Sequence, residues 1–117
     1  MEKNQLREDT ISFTIAVSEV CDGIQGKGCA VFKNQLLRSA SSIGANVHEA
    51  KYAQSRNDFI NKLEIALKES AETDYWIELL HRKEKLTEEQ YRTLRNQCGS
   101  IRRRLIASVT TAKGGSE

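Results

Sequence analysis

The chain of 117 residues contains no proline, and only 6% of its residues are aromatic. Proline interrupts helix interiors, so its absence leaves long helices unbroken. No stretch approaches the ~18 apolar residues that a membrane-spanning helix needs. The first ten residues, MEKNQLREDT, also lack the apolar segment of a secretion signal. We therefore expect an all-α cytoplasmic protein without a membrane contact.

Cysteine is scarce and irregularly spaced, with Cys21, Cys29 and Cys98 only. An odd count without a CxxC pair is a poor disulfide framework and a poor zinc site. Cys21 and Cys98 fall on apolar stripes, which indicates buried thiols. Charge of one sign is also lacking, because 18 basic residues face 16 acidic ones. A net charge of +2 does not by itself indicate a polyanion partner; only a local concentration of charge could.

Apolar and small residues recur at alternating steps of three and four, as in helices that pack along one face. We predict helices at about 7–22, 30–53, 56–83 and 88–111, followed by a flexible C-terminal tail. Their stripes are Phe13, Val17, Val20 and Ile24; Phe32, Leu36, Ala40, Ile43, Val47 and Ala50; Phe59, Leu63, Ala66, Ser70, Thr73, Ile77 and Leu80; and Tyr91, Leu94, Cys98, Ile101 and Leu105.

Helix starts are marked by two capping patterns, Ser55 with Asp58 and Thr87 with Gln90. Three glycines within 23–28 mark a connection without a helix signal. The short connections between the later helices favour antiparallel neighbours. We expect one domain over 1–117, an up-and-down antiparallel four-helix bundle.

Catalytic and metal-binding patterns are incomplete. A di-iron site in such a bundle needs two Glu-x-x-His motifs, and Glu78 with His81 supplies one. The other histidine, His48, directly precedes Glu49 and cannot supply the second. The serines of the second helix, Ser39, Ser41 and Ser42, lack a His–carboxylate partner and fit helix packing better. We predict no enzyme activity, no metal and no cofactor.

Two helix flanks carry polar residues beside small or aromatic ones. The first comprises Arg38, Ser42, Ala45 and Glu49, and the second Ile65, Glu69, Glu72 and Trp76. One interpretation is a solvated face with weak ion pairs. The other, which we favour, is a subunit interface, because small residues and tryptophan are typical of interfaces.

The fourth helix is rich in basic residues: Arg92, Arg95, Arg102, Arg103, Arg104 and Lys113. Acidic Glu88 and Glu89 at its start and bases at its end partly reflect the helix dipole. Arginine also suits phosphate recognition through its planar fork. We predict these six residues as nucleic-acid contacts, with Arg95 and Arg102 to Arg104 as the first choice.

Residues 35–40 (QLLRSA), 42–50 (SIGANVHEA) and 58–60 (DFI), with Tyr75 and Trp76 among later positions, resemble a bacterial family. This family comprises the four-helix-bundle proteins encoded in intervening sequences of 23S ribosomal RNA genes. Family members commonly have proline at position 44 and glycine at position 50, where this chain has Gly44 and Ala50.

The resemblance implies a left-handed bundle that assembles as a homopentamer. A related branch, the accessory variability proteins of diversity-generating retroelements, comprises basic pentamers that bind nucleic acid and associate with a reverse transcriptase. The resemblance thus implies self-association, RNA or DNA and a reverse transcriptase as partners. To the family motif and its assembly we assign Arg38, Ser42, Asn46, Glu49, Glu72 and Trp76.

The sequence therefore predicts a non-enzymatic oligomeric bundle that binds structured RNA or DNA. The alternative is a protein-interaction or scaffold module without nucleic-acid affinity. Phosphate contacts weaken steeply with salt, which separates the two.

Overall fold

Helices connected by short turns make up the structure, a computed structural model that describes residues 2–114 and the side chains of 5–114. They are α1 (Glu2–Asp22), α2 (Ala30–Ala50), α3 (Arg56–Arg82) and α4 (Glu88–Ala112). Each helix contacts the next one along the chain, and α4 contacts α1. Because the connections are short, consecutive helices are antiparallel. The expected all-α four-helix bundle is confirmed, and it measures 48 × 22 × 22 Å.

The helix bounds differ from the predicted ones mainly at two points. α1 begins at Glu2, five residues before the expected start. The prediction was late because Leu6 and Thr10, which extend the buried stripe, were not recognised as core positions. α2 ends at Ala50 because residues 51–53 close three-residue turns onto its last carbonyls. Of the expected C-terminal tail, residues 115–117 lie outside the described part of the chain.

The core consists of the predicted stripes, with partial burial at their ends. Phe32, Phe59, Tyr91 and Val20 are only partly buried and pack against the fully buried residues. The remaining predicted stripe positions are buried. The apolar alternation of three and four therefore located the centre of the bundle correctly.

Small polar residues allow α2 and α3 to approach closely. Ser39 and Thr73 are completely buried, and their hydroxyl oxygens lie 2.8 Å apart. The Thr73 hydroxyl also lies 2.8 Å from the Glu69 carbonyl, and Ser39 donates to the Leu36 carbonyl. The packing role predicted for Ser39 is thus confirmed, whereas Ser41 is exposed.

α1 and α2 also approach closely, at Gly44. A Cβ atom at this position would lie 3.0 Å from Thr10 Oγ1 and 3.2 Å from Thr10 Cβ. Such distances are shorter than ordinary packing contacts, so a side chain here would force the helices apart. Glycine therefore sets the spacing of this helix pair.

Both predicted helix caps are present. Ser55 Oγ accepts from the Asp58 amide at 3.0 Å. Thr87 and Gln90 form a complete capping box, in which each side chain accepts from the other residue's amide. These bonds satisfy amides that the first helical turn leaves without partners.

All three cysteines are free and buried, as predicted for Cys21 and Cys98. Burial raises the pKa of the Cys21 thiol. No helix within residues 2–114 is long and apolar enough to cross a membrane.

Candidate nucleic-acid interface

The basic residues of α4 do not share one surface. Arg102 reaches α3, where its Nη2 atom lies 3.0 Å from Asp74 Oδ2. Arg104 reaches α1, where its Nη1 atom lies 2.6 Å from Asp9 Oδ2. Arg103 lies between them in sequence and is exposed. Consecutive helical residues differ by about 100° in direction, so the three arginines diverge over the helix surface.

Three of the six predicted contacts are engaged in ion pairs between helices. These are the Arg102 and Arg104 pairs and the pair of Lys113 with Glu64, at 2.8 Å. All three join α4 to a neighbouring helix. Partly exposed pairs of this kind stabilise a fold by roughly 0–1 kcal/mol each. Their first role is therefore to orient α4 in the bundle.

The other three basic residues, Arg92, Arg95 and Arg103, form what we call the outer arginine face. All three are exposed. Among the residues that the structure describes, none of them has a carboxylate within 4 Å. The face extends over twelve residues of α4, and its two end residues are about 17 Å apart at 1.5 Å per residue. Its charge is thus available to a ligand.

Arg95 is held in place by an aromatic partner. Its guanidinium carbon lies 5.6 Å from the centre of the Tyr91 ring, and its Nη1 donates to the Tyr91 hydroxyl at 3.0 Å. The Tyr91 hydroxyl in turn donates to Glu78 Oε1 at 2.7 Å. This bond raises the pKa of Tyr91 and, together with Arg82, lowers the pKa of Glu78. The geometry leaves Arg95 ordered but without a direct ion pair.

Gly99 has no side chain, and two arginine side chains lie over its backbone. A Cβ atom at Gly99 would lie 3.4 Å from Arg103 Nη1 and 3.8 Å from Arg102 Nη2. The two guanidinium groups therefore lie along the helix surface at this point. Gly99 itself is buried.

The Cys98 thiol lies beneath this surface, shielded from solvent. It is completely buried and donates to the Ser70 carbonyl at 3.4 Å. Burial, reinforced by the nearby Asp74 carboxylate, raises the pKa of Cys98 to about 12. Because the thiolate is the reactive form, this environment disfavours Cys98 as a nucleophile at neutral pH.

The polar flanks of α2 and α3 face each other within one chain. Arg38 binds Glu72 and lies 3.4 Å from Glu69, while the Trp76 indole donates to Glu72 at 3.0 Å. The Trp76 and Arg38 bonds lower the pKa of Glu72. This arrangement matches the ion-paired face that the sequence left open as one interpretation.

The other assigned motif residues also have partners in their own chain. Asn46 donates to the Ser42 carbonyl at 2.9 Å, and Glu49 accepts from Lys62 at 2.9 Å. These contacts stabilise α2 and its junction with α3. A part in assembly stays a prediction for all six motif residues.

Glu78 and His81, the pair considered for a metal site, both contact residues of α4. His81 stacks on Tyr91 with ring centres 3.6 Å apart, and its Nε2 atom lies 3.1 Å from Glu88 Oε1. Among residues 5–114, no three His, Cys, Asp or Glu side chains group as potential metal ligands. The pair therefore connects the end of α3 to the start of α4.

Sequence reasoning missed an exposed aromatic area on α2 and α3. Tyr75 is 59% exposed and meets the edge of Trp76, which stacks on Phe32. A groove of about 570 Å³ runs beside Tyr75, Leu79 and Phe32. The available signal was the four-residue spacing of Tyr75 and Leu79 outside the core stripe.

The fold and this surface define a class: a helical bundle with a cationic outer face and an intrachain polar network. Residues 2–107 match the family model described as 23S rRNA-intervening sequence protein. The chain belongs to this family. A crystal structure of a Bacteroides thetaiotaomicron protein, described as a protein of unknown function from the S23 ribosomal protein family, is 42% identical. The alignment covers 94% of this chain and 99% of that one, with a TM-score of 0.88. No functionally curated protein matches the chain.

Proposed function

We propose that this protein is a non-enzymatic, self-associating bundle that binds structured RNA or DNA through the phosphate backbone. The observation that carries the proposal is the outer arginine face, where Arg92, Arg95 and Arg103 have no carboxylate partner among the described residues. Guanidinium groups bind phosphate through paired N–H donors. Tyr91 is covered by His81 on one side, so base stacking contributes less than backbone contact.

We assign the six predicted contacts to two groups, according to whether they form ion pairs with a neighbouring helix. The outer arginine face supplies the phosphate contacts, while Arg102, Arg104 and Lys113 hold α4 to its neighbours. An arginine already paired with a carboxylate must give up that pair before it binds phosphate. The exposed and unpaired residues therefore bind first.

The test compares two triple variants in binding to an RNA hairpin and a DNA duplex across a salt series. Replacing Arg92, Arg95 and Arg103 with glutamine should weaken binding strongly. It should also reduce the slope of log K against log salt by about 0.9 per lost contact with B-DNA. The matched control replaces Arg102, Arg104 and Lys113 with glutamine, which removes the same charge. The control should keep most of the binding and lose stability instead.

Equal loss of affinity in both triple variants would show that only net charge matters and would overturn the assignment to the outer face. Absence of binding by the unmodified protein at low salt would overturn nucleic-acid binding itself. The scaffold function would then apply, and the exposed aromatic area at Tyr75 and Leu79 favours it.

A reverse transcriptase partner and a pentameric assembly belong to the same proposal. Their support is the family membership together with the resemblance to the retroelement branch. The mass of the purified protein by light scattering tests the assembly, and a monomer mass would refute it. Copurification of the protein with an encoded reverse transcriptase tests the partner.

A further inference from the structure

The core is closed differently at the two ends of the bundle. At one end the connections themselves contribute buried side chains, namely Ile24, Cys29 and Leu86. At the other end α1 and α3 begin, and α2 and α4 end. The α2–α3 connection there spans residues 51–55, and none of these residues is buried. This connection therefore leaves part of the apolar surface at its end of the bundle open.

A cavity of about 360 Å³ lies at this open end. Its apolar lining comes from three helices and the connection: Leu6, Val47, Ala50, Ala53, Phe59 and Leu63. On α4 it is lined by Ser108, a small residue that leaves space. Pockets that bind small molecules measure roughly 300–1,000 Å³. At about 30 Å³ for each water-sized group, this cavity holds roughly twelve non-hydrogen atoms.

The larger polar residues of the cavity are basic. They are Arg7, His48 and Lys51, and within residues 5–114 no carboxylate lines the cavity. His48 and Lys51 are exposed, whereas Leu6 and Leu63 are buried. The basic groups therefore lie on the solvent side, at the mouth of the cavity, and the apolar groups lie inside.

Arg7 holds His48 in place at this mouth. Its Nε atom donates to His48 Nδ1 at 3.3 Å, and its Nη1 atom lies 3.1 Å from Glu8 Oε2. Because Nδ1 accepts, the proton of the neutral imidazole is on Nε2, which is then a donor. Glu8 balances the charge of Arg7. Lys51 has no carboxylate within 4 Å among the described residues, so the mouth has an excess of positive charge.

We propose that this cavity binds a small monocarboxylate with an apolar body, of the size of a medium-chain fatty acid. The apolar body lies against Leu6, Phe59 and Leu63, and the carboxylate lies at the mouth between Arg7 and Lys51. A carboxylate supplies the acceptor that the ammonium and guanidinium groups lack there. A cationic amphiphile would instead meet charges of its own sign. None of these residues belongs to the outer arginine face, so the inference goes beyond the proposed function.

Decanoate matches the volume of the cavity and is the probe, titrated by calorimetry below its micelle-forming concentration. We expect one decanoate per chain. The thermal midpoint of the protein should rise, because a ligand that binds only the folded state stabilises it. Decyltrimethylammonium carries the same chain with the opposite charge, and acetate carries the same head group without the chain. Both should bind at least about tenfold more weakly than decanoate.

Two pairs of variants locate the binding site. Ala53→Leu fills the cavity and should abolish decanoate binding. Its control is Ala107→Leu, because Ala107 is exposed on α4 and lies outside the cavity. Circular dichroism checks that both variants are folded.

The second pair tests the charge at the mouth. Lys51→Gln should weaken decanoate binding by roughly fivefold and leave the binding of uncharged decanol unchanged. Lys27→Gln removes the same charge in the α1–α2 connection, at the opposite end of the bundle. This control should bind decanoate as the unmodified protein does.

Each contrary result would overturn the proposal. Decanoate bound at several sites per chain, or no more tightly than decyltrimethylammonium, would show adsorption on apolar surface. Unchanged affinity in a folded Ala53→Leu variant would place the binding elsewhere. Equal losses in Lys51→Gln and Lys27→Gln would show an effect of net charge alone. Decanoate binding that disappears as the chain self-associates would show that a second copy covers the cavity. None of these measurements depends on whether the protein binds nucleic acid.

Discussion

The contact of Gly44 with Thr10 predicts opposite effects of alanine at two helix-interior glycines. At Gly44 an added Cβ would lie 3.0 Å and 3.2 Å from two Thr10 side-chain atoms. At Gly99 it would meet only the flexible ends of two side chains, Arg103 at 3.4 Å and Arg102 at 3.8 Å. Both substitutions gain helix propensity, by about 0.8–1 kcal/mol. Only Gly44→Ala also overpacks a helix contact, which costs about 1–3 kcal/mol.

We therefore expect Gly99→Ala to stabilise the protein by about 0.8–1 kcal/mol. Gly44→Ala should destabilise it by up to about 2 kcal/mol once the propensity gain is subtracted. The difference between the two variants is the packing cost alone, because the propensity gain is common to both. Urea unfolding followed by far-UV circular dichroism gives both values. The protein concentration is kept equal throughout, since self-association shifts apparent stability.

Truncating the Thr10 side chain should reduce the destabilisation that Gly44→Ala causes. Thr10→Ala deletes the hydroxyl, which is the atom nearest to the added Cβ, together with the γ-methyl group. Only the Cβ atom of residue 10 remains. The double variant Thr10→Ala with Gly44→Ala should therefore lose less stability than the sum of the single variants, with a coupling of about 1 kcal/mol. If Gly44→Ala stabilises as much as Gly99→Ala does, the close approach of α1 and α2 is wrong.

Three further results are expected. Glu72→Gln should make the stability of the protein depend less on pH in acid. Trp76 and Arg38 lower the pKa of Glu72. The Glu72 carboxylate therefore contributes stability above its unfolded pKa, and this stability is lost as the pH falls through its folded pKa. Urea midpoints from pH 7 to pH 3 measure this, and an unchanged pH profile would contradict it. Cys98 should resist a thiol reagent in the native protein and react in denaturing urea, because its pKa is raised to about 12; rapid native labelling would count against its burial. Thr87→Ala should cost about 1 kcal/mol by removing the capping box, whereas exposed Thr93→Ala should change stability by less than about 0.5 kcal/mol. Thermal unfolding of both variants compares them, and equal effects would argue against the cap.

Helix number, antiparallel order and most core positions could be predicted from the sequence, because apolar periodicity and capping residues are local signals. The start of α1 could not, because Leu6, its first core residue, is followed one turn later by the polar core residue Thr10, which interrupts the apolar stripe. Thr10 is buried where α1 meets the glycine of α2. A threonine gives no apolar signal, and the contact that buries it joins residues 34 positions apart.

The candidate site could be predicted in composition but not in arrangement. The arginines of α4 are visible in the sequence, whereas their partners lie on other helices. Asp9 is 95 residues from Arg104, and Glu64 is 49 residues from Lys113. Pairing over such distances depends on the packing of whole helices. Only the structure therefore separates the arginines that bind carboxylates from those that remain available.

The contact order of the helices has a consequence for how the chain folds. Three of the four helix pairs in contact are consecutive in sequence, and such local contacts form quickly. Only α1 with α4 joins the two ends of the chain, through the 95-residue separation of Asp9 and Arg104. Closing so long a loop costs the most chain entropy.

We expect α2, α3 and α4 to assemble first and α1 to dock last onto them. The same seam should open first in the native protein. Amide hydrogens of α1 should then exchange with solvent faster than those of α2 and α3.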